Sequence, residues 1–190
     1  MIKKVLIATS LVLSFSSSAL ALEFSSGNGI CDPSDFFGSE ICEGAYVGND
    51  TNLIGSDIEV FGETDWGLLE KIDVVEGQYT YDGGQYINFD FTIPYTNGSW
   101  SATQDLLNLA EDESIDIFFA LKGSNEFSVY LWDKTTTSGD FLTNGLLTDG
   151  GSTPDLSHFS VYIRPSADYL VPTPGNFLIP LGLLLGKRHV

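Results

Sequence analysis

Between residues 23 and 169 apolar and polar positions alternate with a period of two, and helical periodicity is nearly absent. The clearest stretch is 86–93. Ile87, Phe89, Phe91 and Ile93 fall on one face and Asn88, Asp90 and Thr92 on the other, the pattern of a half-buried strand. Asp82-Gly83-Gly84 precedes it, a turn that glycine makes accessible by accepting positive φ, so 78–81 and 86–93 are expected to form a hairpin. Further strands are expected over 58–61, 67–74, 99–102, 115–122, 127–133, 140–143 and 158–164. Only 104–110 reads as a short helix, with Asp105 in its first turn and Leu106, Leu107 and Leu109 to bury. Short strands separated by Gly, Asn, Asp and Ser clusters define an all-β chain, an antiparallel two-sheet β-sandwich of jelly-roll-like type; a closed barrel is the structural alternative.

The alternation also assigns faces. In 127–132 the core face takes Phe127, Val129 and Leu131 and leaves Tyr130 and Trp132 opposite; in 158–164 it takes Phe159, Val161 and Ile163 and leaves His158, Tyr162 and Arg164. A three-residue loop Gly123-Ser124-Asn125, with Asn125 left-handed, would set Lys122 opposite Glu126, Phe118 opposite Tyr130 and Asp116 opposite Trp132. If these strands share a sheet, its outer face carries Phe118, Tyr130, Trp132 and Tyr162, a candidate platform for stacking on sugar rings. The competing role for these rings is a second packing layer beneath a long loop such as 143–155.

The two ends have a different character from the body. Lys3 and Lys4, an apolar run over 5–12 and Ala19-Leu20-Ala21 have the layout of a secretory signal peptide cleaved after Ala21. The body then spans 22–168 as one domain, 169–176 is a linker, and 177–190 is a short hydrophobic tail with a basic end. A ten-residue apolar run rises about 15 Å as a helix against a bilayer core of about 30 Å, so it does not span alone, and membrane contact is expected only through the unprocessed tail. All 26 carboxylates lie in the body with four of the eight basic residues, giving a body charge of 4 − 26 = −22. Such a field repels nucleic acid and anionic headgroups and favours cations, neutral glycans or basic partners. It also keeps an exported protein soluble in a salty exterior.

Cys31 and Cys42, eleven positions apart in an exported chain, are expected to form a disulfide closing a loop that holds Pro33 and the Phe36-Phe37 pair. Candidate catalytic chemistry is sparse. The body has one histidine, His158, at the start of an alternating strand and without a Gly-x-Ser-x-Gly elbow, which points to a structural hydrogen bond rather than a nucleophilic triad. No His-Glu-x-x-His, phosphate-cradling glycine loop or spare thiol accompanies it. No cofactor is implied. Ca²⁺ has only weak candidate ligands, Asp50 and Asp112, in two acidic segments that read more simply as a turn and a solvated loop. Glycoside hydrolysis needs just two carboxylates at about 5–10 Å, and a chain this acidic offers many pairs.

The order Val171-Pro172-Thr173-Pro174-Gly175, apolar run, Lys187-Arg188 resembles the PEP-CTERM sorting signal, with Thr173 where that signature has Glu. The body also resembles small exported proteins that carry such tails. Cys42-Glu43-Gly44, Gly48-Asn49-Asp50-Thr51, Trp66-Gly67-Leu68-Leu69-Glu70-Lys71, Gly98-Ser99-Trp100-Ser101, Phe119-Ala120-Leu121-Lys122-Gly123, Tyr130-Leu131-Trp132 and Leu156-Ser157-His158-Phe159-Ser160-Val161-Tyr162 occur in the same order. The resemblance implies recognition by an exosortase-type sorting enzyme of a Gram-negative bacterium. It further implies a secreted or cell-surface domain in an exopolysaccharide or biofilm context, and it brings no catalytic residue. The expected function is a non-catalytic surface or matrix protein with weak binding of extracellular polysaccharide; the alternative is a carbohydrate-active enzyme, a glycoside hydrolase or lyase, using paired carboxylates.

Overall fold

A computed structural model describes residues 27–166 apart from 79 and 82. The signal peptide, the linker with Pro172, Thr173 and Pro174, and the tail at 177–190 lie outside the described residues. Nine strands form two antiparallel sheets: β1 (Ser39–Val47), β2 (Gly67–Asp73), β3 (Thr80–Tyr81), β4 (Ile87–Thr92), β5 (Asn97–Ala102), β6 (Ile115–Gly123), β7 (Glu126–Trp132), β8 (Ser138–Leu142) and β9 (Leu156–Pro165). One sheet has the order β1-β7-β6-β9-β2 and the other β3-β4-β5-β8. The chain is therefore an all-β two-sheet sandwich. Two short helices interrupt the strands, α1 (Asp50–Leu53) and α2 (Gln104–Ala110). The latter starts on Thr103, whose side chain accepts from the Leu106 amide.

The face that alternation assigned to β4 packs inward: Ile87, Phe89 and Phe91 are buried, and Ile93, just past the strand, is exposed. They join Phe36, Trp100, Phe119, Tyr130, Trp132, Phe141 and Phe159 in the core between the sheets. Phe36 stacks on Trp100 with centroids 5.1 Å apart, and Phe89 meets Phe159 at 4.2 Å. A second core lies on the other side of the five-stranded sheet. There the irregular segment 48–66 lays Ile54, Ile58, Val60 and Trp66 over Phe118, Ala120, Phe127, Val129 and Tyr162. Arg164 fastens that cover, because its guanidinium bonds Glu63 at 3.1 Å, Asp65 at 2.9 Å and Asp116 at 2.9 Å and lies 5.3 Å over the Trp66 ring.

Three expectations are corrected. The 58–61 segment makes only isolated bridges, Ile54 to Ile58 and Val60 to Glu63, and serves as cover rather than strand. Strand β1 was not anticipated: Gly44 at φ 124° and register shifts on both sides of 42–44 break its alternation. The β6–β7 turn is shorter by one residue than the expected three. Gly123 pairs with Glu126 and Lys122 with Phe127, and Ser124, at φ 52°, takes the left-handed position in place of Asn125. Phe118 consequently faces Leu131 and Phe119 faces Tyr130, so the slip exchanges the two faces of β7.

Glu126, buried at the start of β7, accepts from the backbone amides of Asn28 at 2.5 Å, Gly29 at 3.3 Å and Leu147 at 2.9 Å, tying the N-terminal segment and a long loop to the sheet. Cys31 and Cys42 are joined by a disulfide, with Cα atoms 6.0 Å apart. That bond is compatible with export; among the described residues no helix is long and apolar enough to cross a membrane. Reduction is expected to lower the urea midpoint by the equivalent of about 3 kcal/mol in the chain-entropy treatment. Identical melts with and without reductant would show that the loop is already ordered by Phe36.

Candidate functional site

The outward side chains of the four-stranded sheet form a polar surface. Alternation places Asn88, Asp90 and Thr92 of β4 on it, with Asn97, Ser99 and Ser101 of β5 and Ser138 and Asp140 of β8. Register aligns them in rows. Asp90, Ser99 and Asp140 form one row, and Asn88, Ser101 and Ser138 the next. The rows line a shallow groove of about 520 Å³ with Tyr81 among its lining residues, and a second hollow of about 360 Å³ adjoins it over Thr92, Asn97 and Leu142. Asp90 and Asp140 are separated by one intervening strand, about 9–10 Å from the usual strand spacing. Asn88 Oδ1 is buried without a hydrogen-bond partner among the described residues, so this wall holds an unused acceptor.

The aromatic platform expected from sequence does not exist as a surface. Phe118 and Tyr162 are buried in the second core, stacked on each other at 4.8 Å beneath the 48–66 cover. Tyr130 and Trp132 are buried between the sheets, where Trp132 Nε1 donates to the Thr136 carbonyl at 2.8 Å. The β6–β7 slip sends the two pairs to opposite faces of the sheet, and each face has its own apolar cover. Burial, followed by the charge of Asp35, pushes the Tyr130 hydroxyl well above the usual tyrosine range.

A buried polar network occupies one end of the second core. Asp50 is fully buried; its Oδ1 lies 2.5 Å from His158 Nε2, and its Oδ2 accepts from the Tyr162 hydroxyl at 3.1 Å. Burial raises the Asp50 carboxyl, but the hydrogen bonds from His158 and Tyr162 and the histidine charge outweigh it, so the net direction is below the ordinary carboxylate value. Tyr162 is pushed far up by burial and by the Asp50 charge. With both oxygens engaged, Asp50 is a structural acceptor and not the Ca²⁺ ligand considered from sequence. Asp112 turns its Oδ1 onto the Ser114 amide and hydroxyl, and those bonds lower its pKa. Among the described residues no group of three or more His, Cys, Asp or Glu side chains is placed to hold a metal ion.

His158 also lines a recess of about 380 Å³ with Gly48, Asn49, Lys71, Lys122, Asn125 and Ser157. Burial lowers the Lys122 pKa, against the attraction of Asp50 and Glu126, which raises it. Sequence reasoning missed this convergence. Asn49, Lys71, Lys122 and His158 come from three strands and a loop, and no local spacing joins them.

No family model matches this sequence, and no curated protein and no solved structure is significantly similar to it.

Proposed function

We propose that this chain is an exported surface or matrix protein that binds a neutral or cation-bridged polysaccharide weakly through the outer face of its four-stranded sheet. The observation that carries the reading is the row structure of that face: hydroxyls, amides and two carboxylates at fixed lateral spacing in a shallow groove. Carboxylate and amide oxygens accept from sugar hydroxyls, serine hydroxyls both donate and accept, and the unpartnered Asn88 Oδ1 accepts one more. No outward ring on these three strands offers stacking, so a single domain binds in the millimolar to micromolar range and dense display supplies avidity. The ends of the chain support the setting: a signal-peptide-like start, and a tail similar to those that exosortase-type enzymes of Gram-negative bacteria process.

A second reading, an inverting glycoside hydrolase, is motivated by the register that sets Asp90 and Asp140 on either side of Ser99, with backbones two strand spacings, about 9–10 Å, apart, in a class of enzyme that uses two carboxyl groups roughly 6.5–9.5 Å apart. One experiment addresses both. Retention on neutral polysaccharide gels is expected to fall in the double variant Asn88→Ala/Asp90→Ala with thermal stability unchanged, because both side chains point away from either core. Unaltered retention would place binding elsewhere, and reducing ends released by the wild type but not by Asp140→Asn would favour the hydrolase.

A further inference from the structure

We infer that the recess between β2, β6 and β9 on the five-stranded sheet is a binding site for the carboxylate of a sugar acid, such as a uronic acid residue of an acidic polysaccharide. The site goes beyond the sheet-face reading and does not depend on it. The starting point is charge placement. In a chain of net charge −18, the described residues hold four basic side chains, Lys71, Lys122, Lys134 and Arg164. Arg164 is saturated by three carboxylates, and Lys134 is not among the residues that line the recess, its Nζ donating to the Ile115 carbonyl. The other two meet at this recess beside the only described histidine, and none of its lining residues is a carboxylate.

The donors there are only partly used. Lys71 Nζ pairs with Asp73, and Lys122 Nζ donates to the Ser124 carbonyl; an ammonium has three protons, so two remain on each. His158 commits Nε2 to Asp50, which leaves Nδ1 as the nitrogen without a described partner. The charged groups around that ring are Asp50 from α1, Lys71 and Asp73 from β2, and Lys122 from β6. Asp50 spends its oxygens on His158 and Tyr162 in the interior. Lys122 and His158 are each only 6% exposed, so the ring and the ammonium are positioned by packing before any ligand arrives.

The hydroxyl requirement comes from Asn49. It lines the recess and leaves Oδ1 buried without a hydrogen-bond partner among the described residues. Sulfate, fully deprotonated at neutral pH, brings acceptors only and cannot satisfy it. A sugar acid brings a carboxylate for the two ammonium groups and neighbouring hydroxyls for Asn49, which matches both halves of the site.

Titration of the ¹⁵N-labelled protein with sodium glucuronate tests the assignment, with acetate, sulfate and glucose as comparison arms. Saturable shifts are expected at Asn49, Asn125 and His158, tightest for glucuronate. Lys71→Gln, on an edge strand and partly exposed, is expected to weaken glucuronate about tenfold while Lys134→Gln leaves it unchanged. Absence of saturable shifts at these residues overturns the site. Equal affinity for sulfate and glucuronate overturns the sugar-acid assignment, and equal losses from Lys71→Gln and Lys134→Gln show general charge attraction instead. The sheet-face variant Asn88→Ala/Asp90→Ala is expected to bind glucuronate like the wild type, so failure here and failure of the neutral-glycan reading are told apart.

Discussion

Trp132→Ala is expected to destabilise the domain by about 3–5 kcal/mol, the cost of removing a large aromatic from a packed core. The ring is 2% exposed and meets Trp100 edge-on at 6.2 Å and Phe119 at 5.6 Å. Its Nε1 bond to the Thr136 carbonyl also holds the turn leading into β8, so the truncation removes a buried hydrogen bond together with the packing. The folded fraction is expected to bind polysaccharide like the wild type, since the ring never reaches the sheet's outer groove. Urea melts combined with retention measurements on the folded fraction read the two effects separately. A variant that melts normally and loses glycan retention would place Trp132 on the surface and contradict the packing described here.

What the sequence disclosed depended on how many faces of a strand are covered. In β4 one face is apolar core and the other is the polar groove, so strict alternation identified both, and Asn88, Asp90 and Thr92 could have been named as an outward row from that pattern alone. Strand β6 has apolar cover on both sides, and Ile117-Phe118-Phe119-Ala120-Leu121 is accordingly an unbroken apolar run with no polar face to read. That run was the available signal that the strand is buried on both sides and that its large rings cannot form a platform. The faces of β9 were assigned correctly, yet His158, Tyr162 and Arg164 are covered by 48–66, a segment whose residues look like a short strand and act as a lid of irregular chain. The turn after β6 hid the register, because Gly123-Ser124-Asn125 suits a three-residue loop while the observed pairing keeps Gly123 in the ladder. The Asp50–His158–Tyr162 contact joins positions 108 and 112 residues apart, a separation that alternation and turn chemistry do not reach.

The Asp50→Ala substitution is expected to cost about 3–5 kcal/mol, comparable to loss of a core aromatic, even though it removes only a carboxylate. The reason is what it strands. Asp50 is fully buried between His158 and Tyr162, so its removal leaves an imidazole nitrogen and a phenol hydroxyl in an apolar layer with no acceptor. The isosteric Asp50→Asn keeps one acceptor and is expected to lose less. It also isolates the charge through pH. Because the folded carboxyl titrates below its ordinary value, its stabilisation is fully present above the unfolded pKa of about 3.9 and is lost as pH falls through the lower folded value. The stability gap between the wild type and Asp50→Asn should therefore be widest near neutral pH and narrow as pH drops below about 4. Denaturant melts of both proteins across that range measure the gap directly. A gap independent of pH would mean that the carboxylate charge contributes nothing and that shape alone holds α1 against the sheet.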